Sequence, residues 1–345
     1  MIDRRSLLAL ALTALAAPAL AQPAPSSITP ALIEAAKKEG TVVWYTSVDT
    51  QVAEKIGKAF ETAYPGVRVQ VERSGAERIL QRLAQERGAG IKGADVVNSS
   101  DAAHFILWKR EGWLAAYVPE DVAKHWPADQ KDPDGMFATW RATLSIMGYN
   151  TKQVTAAEAP KGFADLLDAK WMGKLVKAHP SYSGTILTAT FQMSRDLGWE
   201  YFEKLSRLRV MQVQSATEPS RKVALGERPV AVDGGEYVLL LAKERGEPVE
   251  PIYPVEGAPF VAGPNGLFVD APHPNAARLF QSWMYSLEAQ QLIVDVGALR
   301  SVHPLVKEKE GRRKLSDIKL MKEDPKALES QVEQIKQRYT RYFKT

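Results

Sequence analysis

Thr41-Val42-Val43-Trp44-Tyr45-Thr46-Ser47 is a β-branched and aromatic run that ends in small hydroxyl residues, and the fold is read outward from it. Upstream, Ile28 to Gly40 has a helical pattern, with Gly40 placed to stop it. Downstream, Thr50 to Tyr64 is a second helix, and Pro65-Gly66 turns the chain into a strand over Val67 to Glu72. Ser74-Gly75 then opens a helix over Ala76 to Arg87. Ala94 to Val97 is a third strand, Asn98 to Asp101 a loop, and Ala102 to Glu111 a helix. The order β-α-β-α-β-α predicts an α/β fold, an open sheet covered by helices on both faces.

The three strand-to-helix junctions share their chemistry. Tyr45-Thr46-Ser47, Arg73-Ser74-Gly75 and Asn98-Ser99-Ser100-Asp101 all place hydroxyl or amide groups at strand C-termini, where an open α/β sheet forms its ligand crevice. Helix N-capping alone explains any one of them. Three on one sheet edge point to a site for an anion or another hydrogen-bonding ligand.

A second unit begins with Trp140 to Tyr149, which reads as one long strand leaving the first. Helices around Phe163 to Leu167 and Gly184 to Leu197 and strands near Leu175 to Ala178 and Met211 to Val213 follow. Ser183-Gly184-Thr185 repeats the hydroxyl-and-glycine junction. After the helical Ser220 to Leu225, the strand Pro229 to Val232 runs into Asp233-Gly234-Gly235-Glu236-Tyr237. Pro259 to Val269 returns as a strand, two helices follow within Asn275 to Val294, and the tail from Asp317 is charged and helical.

The first residues form an export signal. Arg4-Arg5 precedes an apolar run from Leu7 to Ala17, and small residues at Ala19 and Ala21 set cleavage after Ala21. The arginine pair also fits a twin-arginine signal. With no cysteine in 345 residues, a lipid anchor on cysteine, disulfides and thiolate metal sites are excluded. The formal charge is +4, and the leader holds two arginines and one acid, so the mature chain carries +3. That balance, with basic residues scattered, gives no reason to expect nucleic acid.

In these residues the chain resembles the bacterial extracellular solute-binding proteins with the type 2 periplasmic-binding fold. The resemblance runs from about Gly40 to Pro304. It rests on Gly40 to Ser47, Tyr64-Pro65-Gly66-Val67, Ala94-Asp95-Val96-Val97 through Gly112-Trp113-Leu114, and Gly148-Tyr149-Asn150-Thr151. To these add Pro272-His273-Pro274-Asn275-Ala276-Ala277-Arg278-Leu279-Phe280 and Ser286-Leu287-Glu288-Ala289-Gln290-Gln291. Within the family it is similar to the branch of ferric-iron, thiamine and phosphonate or sugar-phosphate binders. The resemblance implies two lobes with a ligand cleft between them and closure about two crossing segments. The expected division is 1–21 signal peptide, 22–140 first lobe, 141–258 second lobe, 259–305 return to the first, and 306–345 a C-terminal helical tail. It further implies a monomer in the periplasm, partnered by the permease and ATPase of an ABC importer, with no catalytic role.

Two ligand classes stay open at this point. The family-level expectation is ferric iron as the transported ligand, with or without a synergistic anion, on Glu77, Glu236 and Tyr237. A hard trivalent cation prefers anionic oxygen, yet Tyr45-Thr46-Ser47-Val48-Asp49 lacks the family's histidine, and Glu236-Tyr237 stands where two tyrosines are expected. The alternative is a phosphorylated or carboxylated organic anion held without metal. Its donors would be Tyr45, Thr46, Ser47, Ser74, Gly75, Ser99, Ser100, Ser183, Gly184, Thr185 and Tyr237, with Arg141 as a fork of N–H groups. Arg141 reads equally as an interlobe ion pair, and Tyr182 and Tyr237 as packing residues. Of the histidines only His179 adjoins a junction loop. A secreted enzyme is the remote alternative; no Gly-x-Ser-x-Gly, His-Glu-x-x-His or phosphate-cradling glycine loop occurs.

Overall fold

A computed structural model describes residues 23–344, so the leader and its cleavage point lie outside the described residues. In chain order the first elements are α1 (Pro30–Glu39), β1 (Thr41–Thr46), α2 (Thr50–Ala63), β2 (Arg68–Arg73), α3 (Ala76–Gly88), β3 (Val96–Asn98), α4 (Ala102–Arg110), β4 (Leu114–Ala115), α5 (Glu120–His125), β5 (Phe137–Leu144) and β6 (Met147–Asn150). Next come β7 (Leu175–Ala178), α6 (Gly184–Asp196), α7 (Trp199–Ser206), β8 (Met211–Val213), α8 (Glu218–Ala224), β9 (Val230–Ala231), α9 (Glu236–Glu244) and β10 (Val249–Ile252). The chain closes with β11 (Ala258–Phe268), α10 (Pro274–Met284), α11 (Leu287–Gly297), β12 (Leu320–Met321), α12 (Pro325–Glu329) and α13 (Val332–Phe343).

Two sheets make two lobes. The first runs β12-β11-β3-β1-β2, with β4 and β5 also paired to β11; the second runs β10-β6-β9-β7-β8. β1 is parallel to β2 and β3, so their C-termini share one edge, as the junction chemistry predicts. Gly40 ends α1 at φ 74, a left-handed conformation that costs glycine nothing, and its N–H bonds the Ala36 carbonyl. The Asp95 carboxylate stitches distant pieces together. It accepts the Val43 N–H at 2.7 Å and the His273 N–H at 2.7 Å, and meets His273 Nδ1 at 2.9 Å. That gives the Ala-Asp-Val and Pro-His-Pro segments their structural reason and makes His273 a structural residue.

The first core is aromatic and stands without disulfides. Trp44 meets Trp140 edge-on at 5.4 Å, and Phe60 meets Phe280 at 4.9 Å, all four fully buried. Such pairs add about 0.5–1.5 kcal/mol each beyond their buried area. The second core gathers Met147, Phe163, Phe202 and Tyr339.

Three segments depart from the sequence reading. Trp140 to Tyr149 is not one strand: β5 stays in the first sheet to Leu144, Ser145-Ile146 cross over, and β6 begins the second sheet. Arg141 and the expected 140/141 boundary therefore sit inside a first-sheet strand. Phe163 to Leu167 is a 3-10 turn, Ala164–Leu167, held where Asp165 Oδ2 accepts the Lys161 N–H at 2.7 Å. The tail is built into the body. β12 pairs with β11, Leu328 of α12 packs beside Ala103 of α4, and Tyr339 of α13 is fully buried in the second core. Its charges hid this from pattern reading, because only one narrow face of α13, including Ile335 and Tyr339, is buried.

Candidate functional site

The shared edge of the first sheet faces the second lobe across a cleft. A cavity of about 350 Å³, counting its open mouth, lies there. Its first-lobe wall is Ser47 beyond β1, Arg73 at the end of β2, Gly75 and Ala76 at the start of α3, Ser100 before α4, and Arg141 of β5. Facing them are Tyr182, Ser183 and Thr185 around the start of α6, Ser215, Ala216 and Thr217 beyond β8, and Tyr237 of α9. Two arginines, six serine or threonine hydroxyls and two phenols line this cavity, and no carboxylate does among the described residues. A larger hollow of about 1350 Å³ near Phe137 mixes Asp129, Asp132 and Glu323 with lysines, so it offers no such one-signed field.

Arg141 is the least ordinary of these residues. Its side chain is 2% exposed, yet its neighbours are neutral: Nε lies 3.4 Å from Asn98 Oδ1 and Nη2 donates to Ser47 Oγ at 3.2 Å. Burial pulls its guanidinium down to about 10, because nothing nearby balances the charge. Gly263 makes the room for it, since a Cβ there would stand 3.0 Å from the Arg141 side chain. The expected alternative, an interlobe ion pair at Arg141, is not formed. Among the described residues Arg73 is likewise without a carboxylate: its Nε donates to the Val48 carbonyl at 3.3 Å and its Nη2 to Ser215 Oγ at 3.3 Å, across the cleft.

Helix starts add to the field. Gly75 caps α3 with no side-chain bond, leaving first-turn N–H groups for another partner, while Ser183 caps α6 through the Ile186 N–H at 3.4 Å. Burial raises the Tyr237 phenol above its ordinary value, so it stands as a hydrogen-bond donor beside Arg141.

Of the sequence-derived candidates, Ser47, Gly75, Ser100, Arg141, Ser183, Thr185 and Tyr237 are brought together in this cavity. The others support it or point elsewhere. Thr46 Oγ1 accepts the Val48 N–H at 3.2 Å, Ser99 Oγ accepts the Asp101 N–H at 3.1 Å, and the Ser74 N–H bonds the Thr46 carbonyl at 3.1 Å. Gly184 packs on Ala76 and Asp101, where a Cβ would meet theirs at 2.9 and 2.8 Å. Tyr45 turns to the other face, its hydroxyl donating to Glu86 Oε1 at 2.8 Å under the Arg82 guanidinium. His179 packs against Tyr339 at 4.8 Å, and burial lowers it to about 4, so it is neutral and structural.

The three proposed iron ligands do not form one set. Glu236 is fully buried away from the cavity, bound to Arg300 at 2.6 and 2.9 Å, to Arg312 at 3.0 Å and to the Tyr253 hydroxyl at 2.7 Å. Glu77 is engaged by His104 at 3.2 Å and Lys336 at 2.7 Å. Neighbours on a helix start point about 100° apart, which separates Glu236 from Tyr237. Arg73, Ser215 and Thr217 line the cavity without being among the donors expected from sequence, although Arg73 opens the Arg73-Ser74-Gly75 junction and Ser215-Ala216-Thr217 repeats the hydroxyl pattern after a strand.

The lobes touch at Gly75, where an added Cβ would lie 2.7 Å from the Tyr182 carbonyl oxygen. Gly75→Ala is therefore expected to hold the lobes apart. Small-angle scattering should give it a larger radius of gyration than the parent. Gly88→Ala, at the open end of the same helix with nothing within 4 Å, should leave the radius unchanged.

Residues 43–291 match the family model described as bacterial extracellular solute-binding protein. A Haemophilus influenzae protein without assigned function is 26% identical over 276 residues, covering 76% of this chain and 78% of its own. Among solved structures, the periplasmic binding protein AfuA from Actinobacillus pleuropneumoniae, bound to exogenous fructose-6-phosphate, superposes with a TM-score of 0.80. It is 22% identical, over 88% of this chain and 99% of AfuA. Iron-bound HitA from Pseudomonas aeruginosa gives 0.74 and 22%, over 87% and 99%. This chain shares the fold of both.

Proposed function

From the premise that this chain belongs to the bacterial extracellular solute-binding proteins, the binding components of ABC-type importers, we propose that its ligand is a compact organic anion carrying a phosphate or carboxylate. The observation that carries this is Arg141, a buried guanidinium with no carboxylate partner among the described residues, facing a cavity that they line with a second arginine and no acid. An anion entering there supplies the missing charge and accepts from fixed donors on both lobes, so it favours the closed form over the open one. The AfuA complex with fructose-6-phosphate supports this class by analogy. On this reading the protein is exported by its leader and works in the periplasm. The chain through Leu144 and the return from Ala258 to residue 305 make one lobe and the segment between them the other, and the closed particle docks on the importer's permease, whose ATPase drives release. The family binds rather than transforms, and this chain is read as returning its ligand unchanged.

Ferric iron is the second reading, favoured by the fold shared with HitA. The donor set here argues against it. Tyr182 and Tyr237 are the cavity side chains that can become oxygen anions, no carboxylate joins them among the described lining residues, and two arginines stand in the same cavity. Mass spectrometry and elemental analysis of freshly purified, undialysed protein decide between them. A co-purified phosphorylated or carboxylated compound is expected, and iron at near-equal molar ratio overturns the proposal. Tyr237→Phe is expected to weaken the anion about fivefold, the loss of one hydrogen bond worth about 1 kcal/mol, without any change in visible absorbance. Isothermal titration with the co-purified compound checks it.

A further inference from the structure

Behind the cleft lies a buried ionic cluster that ligand contacts do not explain. Glu77, in the first turn of α3, is 3% exposed at its side chain, and its Oε1 lies 3.2 Å from His104 Nε2. Asp101, fully buried, caps α4 by accepting the Ala103 N–H at 2.9 Å and sets its second oxygen 3.5 Å from the same His104 nitrogen. His104 Nδ1 meets Ser99 Oγ at 3.0 Å. Burial already raises the Asp101 carboxyl above its ordinary value, and two buried carboxylates need two cations to stay ionised. His104 is one: burial opposes its charge, but Asp101 and Glu77 raise it above its ordinary value. The other is Lys336, whose ammonium lies 2.7 Å from Glu77 Oε2. Glu333, 3.7 Å from Lys336, is the remaining charge facing the group; burial pushes the Glu323 carboxyl near Asp101 up to about 8, so it is largely protonated at pH 7.

Lys336 belongs to the other lobe. It sits on α13, which is anchored in the second core by Tyr339 alongside Phe202 and Leu205. The cluster belongs to the first lobe, at the starts of α3 and α4, immediately beside the cavity residues Gly75, Ala76 and Ser100. Opening the lobes lifts the ammonium away and leaves the Glu77 and Asp101 carboxyls sharing His104 as their one cation in a buried place.

We propose that Lys336 is a positioning residue for ligand capture: the C-terminal helix reaches across the lobes and completes the charge of the Glu77–Asp101–His104 cluster, favouring closure and fixing the two helix starts that wall the cleft. The C-terminal tail is thus a third connection between the lobes, beside the crossings at Ser145 and before β11. The inference concerns closure itself and holds whatever anion fills the site.

The test uses no ligand, so it stands or falls apart from the ligand assignment. The chain has no cysteine, which allows spin labels at Gln51→Cys and Leu225→Cys, exposed positions on the two lobes. Pulsed electron resonance on the parent is expected to show a population at short distance, the lobes in contact. Lys336→Ala, and Lys336→Met which keeps the apolar stem, should each lower the ratio of short to long distances about tenfold, and Lys336→Arg should restore it. Unchanged distances in Lys336→Met, a loss that Arg does not restore, or a parent that is wholly open without ligand would each overturn the proposal.

Discussion

Arg141→Ala is expected to weaken anion binding by roughly 2–5 kcal/mol, about 30-fold to several thousand-fold in Kd, while leaving the ligand-free protein as stable as before or more stable. The two halves of that result have one cause. In the empty cleft the guanidinium is buried against Asn98 and Ser47, neutral partners that do not repay its lost hydration. Removing it relieves that cost. With ligand bound, the same group makes charge-assisted bonds in a site where water does not compete, and removing it leaves the anion's charge unmatched. A residue serving only the fold would show the reverse, lost stability with binding intact. Lys at this position keeps the charge but not the fork, so Arg141→Lys should recover part of the affinity. Titration of the co-purified compound against both variants, with thermal melts of the ligand-free proteins, checks the pair of effects. Ligand-free destabilisation together with unchanged affinity would assign Arg141 to the fold instead.

The parts of this molecule that were legible in the sequence were those governed by local rules. Strand Thr41–Thr46 and its hydroxyl-rich end, the Gly40 stop and the parallel order of the first three strands follow from side-chain shape and backbone conformation over a few residues. The cavity hydroxyls followed from the same reasoning, because strand C-termini on one edge must converge. What stayed hidden depends on direction and distance in space. Glu236 and Tyr237 are adjacent in sequence, yet a helix start sends one to a buried guanidinium pair and the other to the cleft. Ser145-Ile146 carries no glycine or proline to mark that β5 and β6 lie in different sheets. The tail's place in both lobes rests on Leu328 and Tyr339, two apolar anchors in a stretch whose composition otherwise reads as solvated. Arg73 and Arg141 differ from the chain's other arginines only in what surrounds them, which composition does not record.

Glu236→Ala is expected to destabilise the protein by about 3–5 kcal/mol, because two buried arginines are then left to share Glu308 as their one counter-charge. Arg300 is fully buried and Arg312 nearly so, at 4% exposure of its side chain, and both are tied to the Glu236 carboxylate. Glu308, 2.8 Å from Arg300 and 3.5 Å from Arg312, leaves both partly compensated. Burial alone would raise the Glu236 carboxyl, but Arg300 and Arg312, with the Tyr253 hydroxyl, hold it below the ordinary carboxylate value. A carboxyl depressed on folding stabilises fully above its unfolded value, near pH 4.3, and loses that contribution as pH falls through the lower folded value. Urea unfolding should therefore show the parent losing stability below about pH 4, with Glu236→Gln flatter over the same range because it has no proton to take up. The network also anchors the first turn of α9, so its loss should loosen Tyr237 and weaken ligand binding in the fraction that still folds. Equal urea midpoints for parent and Glu236→Ala at pH 7 would mean that the two arginines find other partners, and would remove the link from this buried charge cluster to the cleft.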